Sequence, residues 1–384
     1  MGLLQLLVLC VLATCCGAVS PPGEIFKPAL LLSRGCNDSD VLSMARLALQ
    51  DINNQRKDGY VLTLNRVKDV WEHRQEELGS LFYLTMDVLE TDCHVLSKKT
   101  WKDCGERILH ESVYGQCKAM FFINKPRRIL YLPAYNCTLR PVSRRKIHSM
   151  CPDCPSPTSI DLSDPRLLEA TTESLAKYNR ENTSKQYSLV KVTRALFQWV
   201  FGPFYFVEYL IKESPCTKSQ AGSCSLQSSD SVPVGLCKGS LAQRELQKHV
   251  SVTCELFTSQ VQAPGGENST AKKGPDSLPK VEEPPKRNAV SSGSSYRTTA
   301  TSIQYLPDLD DEKPEDSQSS DPQEAFPVEL DLTTNPQGDT LDVSFLFIGP
   351  EEKKLVVFPF PKEKQHSDEC PGPAQNANPL VLPP

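Results

Sequence analysis

The chain has 384 residues, a formal charge of −5 and 23% charged residues, with 15 cysteines and 31 prolines. That length admits more than one domain, and mild acidity without a basic, aromatic-interleaved stripe excludes a nucleic-acid surface. The six histidines, His73, His94, His110, His148, His249 and His366, are scattered without metal-ligand spacing. No His-Glu-x-x-His, Gly-x-Ser-x-Gly or phosphate-binding glycine loop occurs, so the chain reads as a non-enzyme with no cofactor and no metal of its own.

In chain order, residues 3–16 form an apolar run closed by Gly17-Ala18, which predicts a signal peptide over 1–18 and a secreted, extracellular protein. No later run approaches the roughly 18 apolar residues that span a bilayer, so no membrane partner is expected. Losing Cys10, Cys15 and Cys16 with the signal leaves an even set of cysteines for an oxidising compartment. Asn37, Asn136, Asn182 and Asn268 stand in Asn-x-Ser/Thr sequons and are candidate N-glycosylation sites.

The chain then repeats itself. Cys93, Cys104, Cys117 and Cys137 align with Cys216, Cys224, Cys237 and Cys254, and Gly115-Gln116-Cys117-Lys118 answers Gly235-Leu236-Cys237-Lys238. This predicts duplicated domains at 25–145 and 159–262, joined by a linker at 146–158. Each begins as a helix: Leu42, Ala45, Leu49 and Ile52 share a face after Asp38-Ser39-Asp40, as do Leu168, Thr171, Leu175 and Tyr178 after Ser163-Asp164-Pro165. Strands follow, with Tyr187–Val200 and Phe204–Lys212 separated by the turn residues Gly202-Pro203. One helix followed by an antiparallel sheet makes each unit α+β. Four cysteines per unit permit three pairings, and the spacing does not choose among them.

The linker carries Cys151-Pro152-Asp153-Cys154-Pro155. If the two thiols pair, the ring and its prolines leave Asp153 little freedom to lose on meeting a partner. A rigid, projecting carboxylate suits a cation site such as the open fourth position of a catalytic zinc; the plainer alternative is a structural staple with a solvated Asp. A redox motif would start a helix after a strand, whereas Pro155 and Pro157 follow here. The region 263–384 is Pro- and Ser-rich, and from about 263 to 338 it carries too little apolar surface to offset its ordering entropy, so it reads as mostly disordered. Strand-like patterns at 341–347 and 355–358 interrupt it and are candidates to dock back on a domain.

The Gln198-Trp199-Val200-Phe201-Gly202 segment matches the Q-x-V-x-G hairpin of cystatins, and the helix, long hairpin and paired cysteines of each unit resemble a cystatin domain. Two such units joined by Cys-Pro-Asp-Cys-Pro, with a Pro-rich tail, resemble the fetuin family of the cystatin superfamily over essentially the whole mature chain. The resemblance implies the pairs Cys36–Cys370, Cys93–Cys104, Cys117–Cys137, Cys151–Cys154, Cys216–Cys224 and Cys237–Cys254. It also implies a monomeric inhibitor of astacin-type zinc proteases, ovastacin and the meprins, and hence a role in fertilisation by preventing premature hardening of the zona pellucida. In that mode Asp153 caps the catalytic zinc while Cys151, Pro152, Cys154 and Pro155 form the inhibitory loop, and Gln198 through Gly202 with Pro203 fill the cleft. Inhibition of papain-like enzymes is a weaker expectation, since the second unit lacks the N-terminal glycine and Pro-Trp hairpin, and Asp69-Val70-Trp71-Glu72-His73 in the first does not match. A further alternative is a mineral-binding carrier of the same family, which would use Asp87, Glu90 and Asp92. Those three do not share one strand parity.

Overall fold

The computed structural model describes residues 31–153, 157–182, 185–199, 202–214, 232–244, 247–257, 301–308, 328–362, 367 and 369–376. The expected signal peptide, Cys154, Pro155, Val200, Phe201, the expected pair Cys216–Cys224 and Asn268 lie outside them. In the first unit α1 (Ser39–Gln55) starts at Asp38, whose carboxylate accepts from the Asp40 amide at 2.9 Å. Its face of Val41, Ala45, Ala48, Leu49 and Ile52 is buried against a sheet. That sheet runs β1 (Leu32–Ser33), β2 (Tyr60–Gln75), β3 (Gly79–His94), β4 (Val113–Asn124), β5 (Ile129–Pro141), in spatial order β1-β2-β3-β4-β5. Alternation sorts its side chains. Phe82, Leu84 and Met86 of β3 face α1, while Leu81 and Tyr83 face away into a second apolar cluster.

The second unit repeats the plan. After a short helix α2 (Arg144–Met150) and strand β6 (Thr158–Ser159), helix α3 (Pro165–Glu181) packs on β7 (Tyr187–Trp199), β8 (Pro203–Glu213), β9 (Gly235–Arg244) and β10 (Gln247–Leu256). The duplication reaches backbone irregularities. The β2–β3 register shifts between Leu64 and Arg66 and between Val67 and Asp69, and β7–β8 shifts between Leu189 and Lys191 and between Val192 and Arg194. Of the expected face of α3, Thr171 is buried and Leu175 and Tyr178 pack on the core, but Leu168 is 62% exposed and Leu167, Ala170 and Ser174 are buried in its place. Apolar spacing alone overlooked Ser174, which is satisfied inside by the Tyr209 hydroxyl at 3.0 Å, as the expected Thr171 is by the Leu167 carbonyl at 2.8 Å.

The architecture is therefore α+β, two tandem helix-on-sheet units. Among the described residues the disulfides are Cys36–Cys370, Cys93–Cys104, Cys117–Cys137 and Cys237–Cys254. Two of them link residues directly opposite each other, across β4–β5 and across β9–β10. No described helix is long and apolar enough to cross a membrane.

The described parts of the C-terminal region pack on the first unit. β12 (Asp339–Asp342) and β13 (Lys354–Val357) form a hairpin whose Leu355 and Val357, with Leu330 and Val343, cover Leu81, Tyr83, Met120, Phe122 and Ala134. Both the 341–347 and 355–358 patterns lie in this docked layer. A further strand, β11 (Thr301–Tyr305), pairs parallel to β5 and completes the sheet edge, which average composition over 263–338 did not point to. Asn136 is engaged there, donating to the Glu329 carbonyl at 2.6 Å and accepting from Ser302 at 2.8 Å.

The two units meet around a buried cation. Arg107 of the first, 1% exposed in its side chain, lies with its guanidinium carbon 3.9 Å from the Tyr60 ring centroid and its Nη1 3.6 Å from Glu208 Oε1 of the second. Glu90 and Glu111 stand at 3.9 and 3.7 Å, and the Tyr60 hydroxyl donates to Glu208. Burial opposes ionisation of Glu208, but Arg107, Tyr60, Arg194 and Lys238 together hold its pKa below the usual carboxylate value. Leu96, Leu210, Leu236 and Phe257 close the apolar side of this joint.

His94 is packed into the same joint at 1% exposure, stacked on Phe257 and edge-on to Tyr60. Its Nδ1 accepts from the Leu96 amide at 3.2 Å. Burial lowers its pKa to about 4; Asp58 and Glu208 pull the other way, and Arg56 and Lys191 reinforce the burial. As pH falls through 6.5 the unfolded imidazole takes a proton that the folded one refuses until about 4, so stability is full above 6.5 and declines across that window. The expected loss is on the order of 2–3 kcal/mol. In denaturant titrations from pH 7 to 4.5, His94→Asn, which keeps an acceptor for Leu96, should flatten this slope relative to the parent. Parallel slopes for the two proteins would contradict it.

Candidate functional site

The linker is built to project and return. Val142 is tied by its amide to the Ser112 carbonyl at 3.0 Å, and Ser143 caps α2 by accepting from the Lys146 amide at 3.5 Å. Ile147 is buried and its carbonyl accepts from the Cys151 amide at 2.9 Å, which ends the helix. Cys151 is disulfide-bonded. Pro152 and Asp153 then form an exposed turn with the Asp153 carboxylate in solvent. The chain re-enters at the buried Pro157, and β6 pairs with β7 at Thr158 opposite Phe197 and Ser159 opposite Leu196.

That pairing joins the linker to the strand that ends at Trp199, two residues beyond Phe197. Gln198 stands opposite Phe204 and Trp199 opposite Pro203, so the tip comprises three residues, of which Gly202 is described. Phe197, Trp199 and Tyr205 share a face by parity. Phe197 and Tyr205 join the core with their centroids 5.3 Å apart, whereas Trp199, at the strand end, is 69% exposed. An exposed indole at a strand end is a candidate contact surface, and the exposed Asp153 turn is a second one on the linker that pairs with the same strand.

The sequence reading missed α2 and β6, the two short elements that aim the loop. Ser143 as a cap and β-branched Thr158 were the available signals, but each covers less than the length at which periodicity is informative. The equivalent hairpin of the first unit is not free. Gln75 near its tip exchanges two 2.8 Å bonds with Val356 of the tail, and His73 packs on Phe358. The acidic candidates are also occupied: Asp87 is buried on Arg66 at 2.6 Å and accepts from Gln116, Glu90 is buried and accepts from Tyr305, and Asp92 accepts from the Gly105 amide at 2.7 Å. No described group of three or more His, Cys, Asp or Glu side chains is arranged to hold a metal ion.

Two helix-on-hairpin units of this topology define a tandem cystatin-domain protein, and a family model for the cystatin domain matches residues 32–125 and 154–245. The chain belongs to the fetuin-B family. It is 68% identical to fetuin-B of Homo sapiens over the full length of both chains. Mouse fetuin-B in complex with crayfish astacin superposes with a TM-score of 0.69 at 56% identity, covering 92% of this chain and 98% of that one. Mouse fetuin-B in its inhibitory complex with human meprin beta gives 0.71 at 59% identity, covering 91% and 99%.

Gly202 sets the shape of the hairpin tip. Its φ of +137° is one that residues with a Cβ rarely adopt, and a Cβ there would stand 2.5 Å from the Gln243 carbonyl oxygen of β9. Gly202→Ala should lower stability by roughly 1–3 kcal/mol through this local strain. A thermal unfolding curve superposing on that of the parent would show that the tip relaxes freely.

Proposed function

We propose that the chain is a secreted inhibitor of astacin-type zinc metalloproteases, with Asp153 capping the enzyme's catalytic zinc and the Gln198–Pro203 hairpin occupying the adjoining cleft. The observation that carries this reading is the exposed Asp153 turn on a linker whose β6 pairs with the strand that ends at the exposed Trp199. Zinc accepts carboxylate oxygen, and a carboxylate in its open position takes the place of the nucleophilic water. The complexes of mouse fetuin-B with astacin and meprin beta support the class of target. Ovastacin is the expected physiological one, which places the activity before fertilisation, where it keeps the egg coat from hardening early.

The carrier reading is not favoured, since Asp87 and Glu90 are buried and paired rather than offered to mineral. Papain-like targets are not favoured either, because the tail covers the first unit's hairpin near its tip.

Asp153→Ala tests the reading directly. Removing a carboxylate from a desolvated cation contact costs roughly 2–5 kcal/mol, or about 30-fold to several-thousand-fold in inhibition constant. Asp153→Asn should also inhibit weakly, since a neutral amide is the poorer zinc ligand. Both variants should unfold like the parent, because an exposed turn side chain supports no core. Near-parental inhibition of an astacin protease by both folded variants would leave the hairpin as the inhibitory element and remove the zinc-capping role.

A further inference from the structure

The helix that delivers the Asp153 loop is held from an unexpected direction. α2 has only seven residues, too few to be stable alone, so its orientation depends on what it touches. One contact is Ile147, buried beneath it. Another comes from the C-terminal region, where Arg144 Nε donates to Asp308 Oδ2 at 3.3 Å with only 10% of the Asp308 side chain exposed.

The register explains how a residue so distant in sequence arrives there. β11 runs parallel to β5, with Tyr305 beside Leu139, and the Leu306 amide continues the ladder to the Leu139 carbonyl at 2.8 Å. Two parallel chains advance together, so three residues past Tyr305 the tail lies alongside the start of α2. β11 is itself pinned. Arg56 donates to the Tyr305 hydroxyl at 2.9 Å, which donates to Glu90 at 2.6 Å, and Ile303 packs on the first core. Arg144, Arg145, Lys146 and His148 make α2 basic, while Asp308 opens the acidic sequence Asp308-Leu309-Asp310-Asp311-Glu312.

We propose that Asp308 is a positioning residue for the inhibitory loop. Presented by β11, it fixes Arg144 and with it the direction in which α2 points Cys151 to Asp153. This rests on the inhibitory role given above to that loop. The C-terminal region is then part of the inhibitory apparatus without touching the protease.

Hydrogen exchange of the free full-length protein over 144–151 tests the positioning without a protease. In Asp308→Asn, amides from Ile147 to Cys151 exchange about 3- to 10-fold faster at unchanged unfolding temperature, and inhibition of an astacin protease weakens by a similar factor. Arg144→Asp behaves alike, and its combination with Asp308→Arg restores both readouts. Parental exchange in Asp308→Asn overturns the assignment, as does faster exchange with a parental inhibition constant, or a charge swap that restores neither. A loop that inhibits nothing would show itself separately, as Asp153→Ala with parental exchange and parental inhibition.

Discussion

Arg107 is the residue on which the relative placement of the two units depends. Its guanidinium is withdrawn from water at their junction and finds its compensation in carboxylates from both sides, Glu90 and Glu111 of the first unit and Glu208 of the second. A buried ion cluster of this kind adds little net stability over an apolar contact, but any other docking angle leaves a desolvated charge without its partners. The apolar contacts of Leu96, Leu210 and Phe257 could slide; the ions could not. The Tyr60 ring beneath the guanidinium and the neutral His94 beside it complete a joint with one geometry.

The proposed function depends on that constraint, because the two proposed contact elements spring from different units. Asp153 is carried by the helix that leaves the first sheet, and Trp199 by the first hairpin of the second. A joint that fixes the units constrains the separation of these elements, and β6 ties the linker to the strand that carries Trp199. Preorganisation of this sort removes ordering cost from binding, so a small contact area can hold tightly. The C-terminal layer contributes from behind. The disulfide from Cys36 to Cys370, the docked hairpin and β11 bind the far end of the chain to the first sheet, whose outer face would otherwise expose Leu81, Tyr83 and Phe122.

Much of this is legible in the sequence where a pattern is long or repeated. The four aligned cysteines and the Gly-x-Cys-Lys flanks give the duplication, and the Asp38 and Asp164 caps give both long helices. What escapes is short or mutual. Leu168 reads as core only until Leu167, Ala170 and a hydrogen-bonded Ser174 are seen to take that side of the helix. A seven-residue α2 and a two-residue β6 carry no period, and both exist because a neighbour completes them. β11 disappears in an average over a Pro- and Ser-rich region because five residues suffice once β5 is there to pair with. The burial of Asp87 and Glu90 is likewise unreadable in one dimension, since their partners Arg66, Arg107 and Tyr305 come from three other segments.

The rigidity of the joint is open to direct measurement. Spin labels attached through unnatural amino acids at Leu47 on α1 and Leu168 on α3, both exposed and one in each unit, report the distance between the units by double electron–electron resonance. A single narrow distance distribution in the free protein, unchanged when an astacin protease is bound, is the predicted result. A broad distribution that narrows only on binding would contradict it, and would mean that the protease, not Arg107, aligns the two contact elements.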